Sequence, residues 1–134
     1  MNEEEEVPSS LRRRRSAAEL LSNLQVEPPQ WAALQFLLEE KDPELVIHAA
    51  KMATLLAPDA EKLHAAENVL RVLPESPWYV KEEATKCLEA LYVWAKPLVE
   101  NEIQRRSQAS PLKRASDATL LTLLRLRQHV HDRP

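Results

Sequence analysis

The residues of this chain that are able to do chemistry are few and widely spaced. Its single thiol, Cys87, falls on the apolar side of a helical pattern, where burial keeps a thiol protonated and inert. His129 and His131 flank Val130 near the C-terminus, a two-ligand pattern too small to hold a catalytic zinc. His48 and His64 each stand in a His-Ala-Ala triplet and can meet across neighbouring helices, but no acidic or Cys-rich cluster accompanies them. Glu39 with Glu40, and Glu82 with Glu83, are adjacent pairs that point in different directions on a helix, so neither forms a shared-proton dyad. Gly is absent altogether, which removes the phosphate loops and nucleophile elbows that need close backbone approach. The expectation is a chain that is not an enzyme and carries no metal or cofactor.

What remains are charged and leucine-rich stretches that address other molecules. Arg12, Arg13, Arg14 and Arg15 lead into Ser16, a run that resembles a basic nuclear-import signal and a site for basophilic kinases, and that can also grip phosphate. Ser110 before Pro111, and Ser116 after Lys113 and Arg114, are further candidates for phosphorylation. Near the C-terminus Leu120, Leu123 and Leu124 spell the LxxLL pattern that coactivators present to nuclear receptors, as Leu34, Leu37 and Leu38 do earlier. Leu121, Leu124 and Leu126 have the spacing of a leucine-rich export signal. The same positions are what any core-facing helix supplies, so the last helix reads equally as the closing element of the fold or as a contact through which the chain forms a homo-oligomer.

These stretches are set on helices. Residues 1–27 are an acidic, Arg-rich segment that is expected to be partly disordered, with Pro28 and Pro29 ending whatever precedes them. The spacing of apolar residues then predicts helices starting near Pro29, Pro43, Asp59, Pro77 and Asp117, several of them at a capping residue followed by Pro. The helix from Pro43 has an apolar surface wide enough to be buried on two sides, and Leu63, Ala66, Val69, Leu70 and Leu73 point inward from the next. The longest starts at Ser76 and Pro77, and Pro97 breaks or kinks it before a continuation through Leu98, Val99 and Ile103. Residues 28–106 form the helical core, 107–116 an exposed linker, and 117–131 a Leu-rich helix. The fold class is all-α, with five to six helices.

Two of these segments share one pattern 34 residues apart. Asp42, Pro43, Val46, Ala50 and Ala53 stand opposite Ser76, Pro77, Val80, Ala84 and Cys87. The small residues let each helix approach a neighbour closely. These starts, with Val four residues after the cap and Ala four further on, resemble the second helices of HEAT or armadillo-type repeats over roughly residues 31–95. The resemblance implies a right-handed stack of helix pairs that offers a groove to a peptide or protein. An irregular helix bundle is the alternative architecture.

Bulk composition narrows the function classes further. At 134 residues and 44% hydrophobic there is room for one core-forming domain, and no window approaches a membrane span. A lone Cys and no apolar leader point to an intracellular setting, in nucleus or cytoplasm. The net charge of −3 hides an acidic middle and a basic end, because residues 105–134 hold seven Lys or Arg against two Asp. The primary expectation is a non-catalytic protein-interaction module or adaptor that binds a partner helix or peptide. Its docking residues are expected on the open ends of the stack, at Trp31, Trp94, Leu98, Val99 and Ile103, with Trp78 the third candidate anchor. The alternative is a small nucleic-acid-associated or shuttling protein that uses the Arg run, although no aromatic residue stands beside that run to stack on bases.

Overall fold

A computed structural model describes Arg15, Trp31, Ala32 and residues 35–132. Among these residues the structure is all-α, and no strand is present. A 3-10 turn at Gln35–Glu39 leads into α1 (Pro43–Leu56) and α2 (Asp59–Val72), and a second such turn at Leu73–Glu75 leads into α3 (Trp78–Ala90). α4 (Tyr92–Ser107), the short α5 (Pro111–Ser116) and α6 (Ala118–His131) complete it.

Sequence explains most of the starts. Asp42 caps α1 by accepting the Leu45 N–H at 3.3 Å, with Pro43 in the first turn, where its missing N–H costs nothing. Asp117 does the same for α6 through the Leu120 N–H at 3.0 Å. The second phased segment differs. Ser76 does not cap α3; its hydroxyl donates back to the Val72 carbonyl at 2.7 Å, and Pro77 itself is the flanking residue. The pattern shared with Asp42 is therefore met by two different local geometries.

The expected break at Pro97 falls elsewhere. The helix is interrupted at Leu91, where α3 ends and α4 begins, and Pro97 lies inside α4. Proline forfeits one ladder bond and crowds the carbonyl four residues back. An interruption upstream places that defect early in α4. Leu91 is itself completely buried, so the junction is held by the core.

α1 is the central element, with the Gln35–Glu39 turn, α2 and α3 all packed on it. Leu45, Val46, Ile47, Ala49, Ala50, Met52 and Ala53 are buried, the wide apolar surface that the sequence predicts. α4 packs on α2, and α6 closes the far side against α3 and α4. One apolar cluster runs from Trp31 to Leu126, so the C-terminal helix belongs to the same core as the residues before it. The phased positions Val46, Ala50, Ala53, Val80, Ala84 and Cys87 are all buried, and α1 and α3 approach closely enough for the Cys87 thiol to lie 3.9 Å from the Ile47 carbonyl oxygen. In α2 the inward set is shifted: Ala65, Ala66, Asn68, Val69 and Val72 are buried, whereas Leu63 is 39% exposed and Leu70 only partly covered.

One polar network fixes the entry to α1. Asn68 is buried; its amide donates to the His64 carbonyl at 2.9 Å and its oxygen accepts from Arg71. Arg71 also donates to the carbonyls of Leu38 and Glu40 at 3.0 and 2.9 Å, satisfying backbone acceptors that a 3-10 turn leaves open.

Candidate functional site

The expected docking residues separate into core and surface. Trp31 is 3% exposed, and its indole N–H donates to the Glu61 carboxylate at 2.5 Å. Val99 and Ile103 are core residues as well. Trp94 and Leu98 are partly buried against the same core, and the Lys62 ammonium sits 4.8 Å from the Trp94 ring centroid. The helix bearing Trp94, Leu98, Val99 and Ile103 is thus packed against α2 and α6. Trp78 is the exception. It stands at the first turn of α3, 72% exposed, with its ring edge-on to Tyr79 at a centroid distance of 5.8 Å.

Two grooves meet at this aromatic pair. On one side α3 and α6 enclose about 510 Å³, with mainly apolar atoms exposed, between Trp78, Lys81, Glu82, Thr85, Lys86 and Glu89 on α3 and Thr122, Arg125 and His129 on α6. Glu89 and His129 join the two walls at 3.4 Å. On the other side α1 and α3 enclose about 260 Å³, between Glu44, Ile47, His48 and Lys51 on α1 and Tyr79, Val80 and Glu83 on α3. A larger recess of about 640 Å³ lies between α4 and α6, but Arg127 and Glu100 pair across it at 3.3 Å. Among the described residues Lys81 and Arg125, both in the α3/α6 groove, take no part in an ion pair, so their charge is free to meet a ligand.

The groups with chemical potential are not assembled. Cys87 is buried between α1 and α3, and burial pushes its thiol up to about 12, well away from a reactive thiolate. Among the described residues no three His, Cys, Asp or Glu side chains gather as a cation site. His48 lines the smaller groove, whereas His64 faces Glu39 at 3.6 Å.

Of the Arg run, Arg12, Arg13, Arg14 and the adjoining Ser16 lie outside the described residues. Arg15 does not stand free. Its guanidinium donates to both oxygens of Asp42, one of them at 2.5 Å, and lies 3.7 Å from Glu44. The hydrogen bond to Asp42 and the two carboxylates hold Arg15 above its ordinary pKa. This member of the run is thus tied to the cap of α1. A four-residue charge run cannot say which member will reach back to a helix cap.

The C-terminal Leu motif is occupied from within. Leu120 and Leu123 are buried, Leu124 packs against the core, and Leu121 is 41% exposed. Leu120, Leu123 and Leu126 are thus taken up by the core, whereas the outer face of α6, with Leu121, remains at the surface. The expected linker at 107–116 is exposed but helical: Ser110 caps α5 by accepting the Lys113 N–H at 3.4 Å, and Ser116 ends it. No helix of the described residues is long and apolar enough to cross a membrane.

Comparison with the known protein families, with curated proteins and with solved structures finds no match to this chain.

Proposed function

We propose that this chain is a non-catalytic interaction module that holds a partner helix or peptide in the groove between α3 and α6, with Trp78 as its anchor. The observation that carries the reading is the exposure of that indole, 72%, beside a half-exposed Tyr79 on a helix whose opposite face is core. Aromatic side chains give large contact area at little conformational cost, and Trp and Tyr are enriched where binding energy concentrates. Lys81 and Arg125 beside it suit a partner that carries carboxylates next to an apolar side chain. The one thiol, Cys87, is buried in the core and is not part of this groove. The HEAT or armadillo resemblance of the phased segments points the same way, towards helices stacked to offer a groove. The lone Cys and the Arg run carry with them an intracellular setting, nucleus or cytoplasm.

The test is capture from a cell extract by wild type and by Trp78→Ala, followed by mass spectrometry. A protein retained by wild type and lost by a variant of unchanged melting temperature supports the groove. Equal retention by both overturns it. The nucleic-acid reading rests on the Arg run alone, and Arg15 is already engaged by Asp42 and Glu44. Retention on nucleic acid that falls steeply with salt would favour that reading instead.

A further inference from the structure

The segment between α4 and α6 contributes no side chain to the core. α5 buries none of its six residues, and every one of them is exposed. Its Lys113 and Arg114 differ from the cations just before them. Arg105 and Arg106 are committed to Glu102, and Arg106 also to Asp117, whereas among the described residues Lys113 and Arg114 pair with no carboxylate. Arg114 makes a single 3.3 Å bond to the Ser107 carbonyl. Two residues beyond Arg114 stands Ser116, exposed, its hydroxyl donating weakly to the Leu112 and Lys113 carbonyls at 3.2 Å.

We propose that Ser116 is a phosphorylation site for a basophilic Ser/Thr kinase, read through Arg114 and Lys113 two and three residues before it. Such a kinase holds its substrate extended and meets the upstream cations with carboxylates. A six-residue helix with no buried side chain opens to that shape without uncovering the core, and its cations are available. In the transfer the Ser116 Oγ forms a bond to the γ-phosphorus of ATP, the bond from that phosphorus to the bridging oxygen breaks to leave ADP, and the hydroxyl proton passes to the kinase base. The new phosphate carries a charge of about −1.5 to −2 and lies one residue before Asp117, the cap of α6. There the N-terminus of a 14-residue helix and Arg106, beside Asp117, offset it. The fold therefore tolerates the modification, while the hydroxyl bonds that close α5 are lost and the basic end of the chain becomes less basic.

The experiment treats the intact chain with ATP and the catalytic subunit of a cyclic-AMP-dependent kinase and maps phosphate by mass spectrometry. Phosphate on Ser116, with the initial rate lowered at least about tenfold in Arg114→Ala and lowered again in Lys113→Ala, is the expected result, with the helical circular dichroism of both variants unchanged. Phosphate confined to Ser16 or Ser110, no incorporation at all, or equal rates in wild type and both variants would each overturn the assignment.

Discussion

Arg15 and Asp42, 27 residues apart, form a two-point contact in which the guanidinium reaches both oxygens of the carboxylate that also caps α1. One side chain thus starts a helix and receives the Arg15 guanidinium. Because Asp42 can cap α1 without Arg15, the cation adds to the helix start and does not create it. Arg15→Ser is expected to cost about 1 kcal/mol, within the range for a partly exposed charge-assisted contact. Replacing Arg12, Arg13 and Arg14 together by Ser is expected to change stability by less than about 0.5 kcal/mol, since three adjacent charges are costly to bury. Urea midpoints of the two variants check the contrast; equal midpoints would mean that the contact contributes nothing.

A second linkage joins α4 to α6. Arg106 donates to both oxygens of Asp117 at 2.9 and 3.1 Å and to Glu102 at 3.2 Å. Hydrogen bonds from Arg105 and then Arg106 hold the Glu102 carboxyl below its usual range. For Asp117 burial pushes the other way, but the Leu120 N–H and Arg106 outweigh it and the carboxyl is again held low. Groups with depressed pKa in the fold stabilise it fully above their unfolded values, about 4, and that stabilisation is lost as pH falls through the folded values. Asp117→Asn keeps a capping oxygen but loses the charge. Its deficit, about 1 kcal/mol at pH 7, is expected to shrink as the pH is lowered from about 5 to 2.5. A melting-temperature difference between the two proteins that stays constant over that interval would contradict the linkage.

Local rules made much of the fold legible. Asp42 with Pro43 and Asp59 after Pro58 announce the first helices, and the small residues Ala50, Ala53, Ala84 and Cys87 lie in the core as their spacing requires. The rest depends on which distant element covers which face. Nothing near Val99 or Ile103 in the sequence says that α6 will pack over their helix, so a closed interface reads as an open one. Leu63 and Trp78 show the converse, since both sit on apolar patterns yet face solvent. Leu91 was equally hidden. The conspicuous breaker is Pro97, whereas the interruption falls at a residue with no helix-breaking property of its own.

Ala50 and Ala84 sit completely buried on α1 and α3, two helices packed on each other. Neither position has room for a longer side chain without moving a backbone. Ala50→Leu or Ala84→Leu should each overpack the interface and cost about 1 to 3 kcal/mol. Chemical denaturation measures the loss. Midpoints at the wild-type value for both variants would show that the helices are not in close contact there.

The three Trp residues give the sharpest division between scaffold and surface. Trp31 is enclosed and hydrogen-bonded to Glu61, so Trp31→Ala removes a packed indole together with that hydrogen bond. A loss of about 3 to 5 kcal/mol is expected. Trp94 is half covered, with Lys62 over its ring, and should fall between the extremes. Trp78 projects from the first turn of α3 and leaves no cavity when truncated, so Trp78→Ala should stay within about 0.5 kcal/mol of wild type. Its fluorescence separates it from the others as well. In a protein retaining Trp78 alone, with Trp31 and Trp94 replaced by Phe, acrylamide should quench the emission efficiently, and an occupied α3/α6 groove should protect it. If Trp78→Ala proves as destabilising as Trp31→Ala, the indole is part of the core and the groove has no exposed anchor.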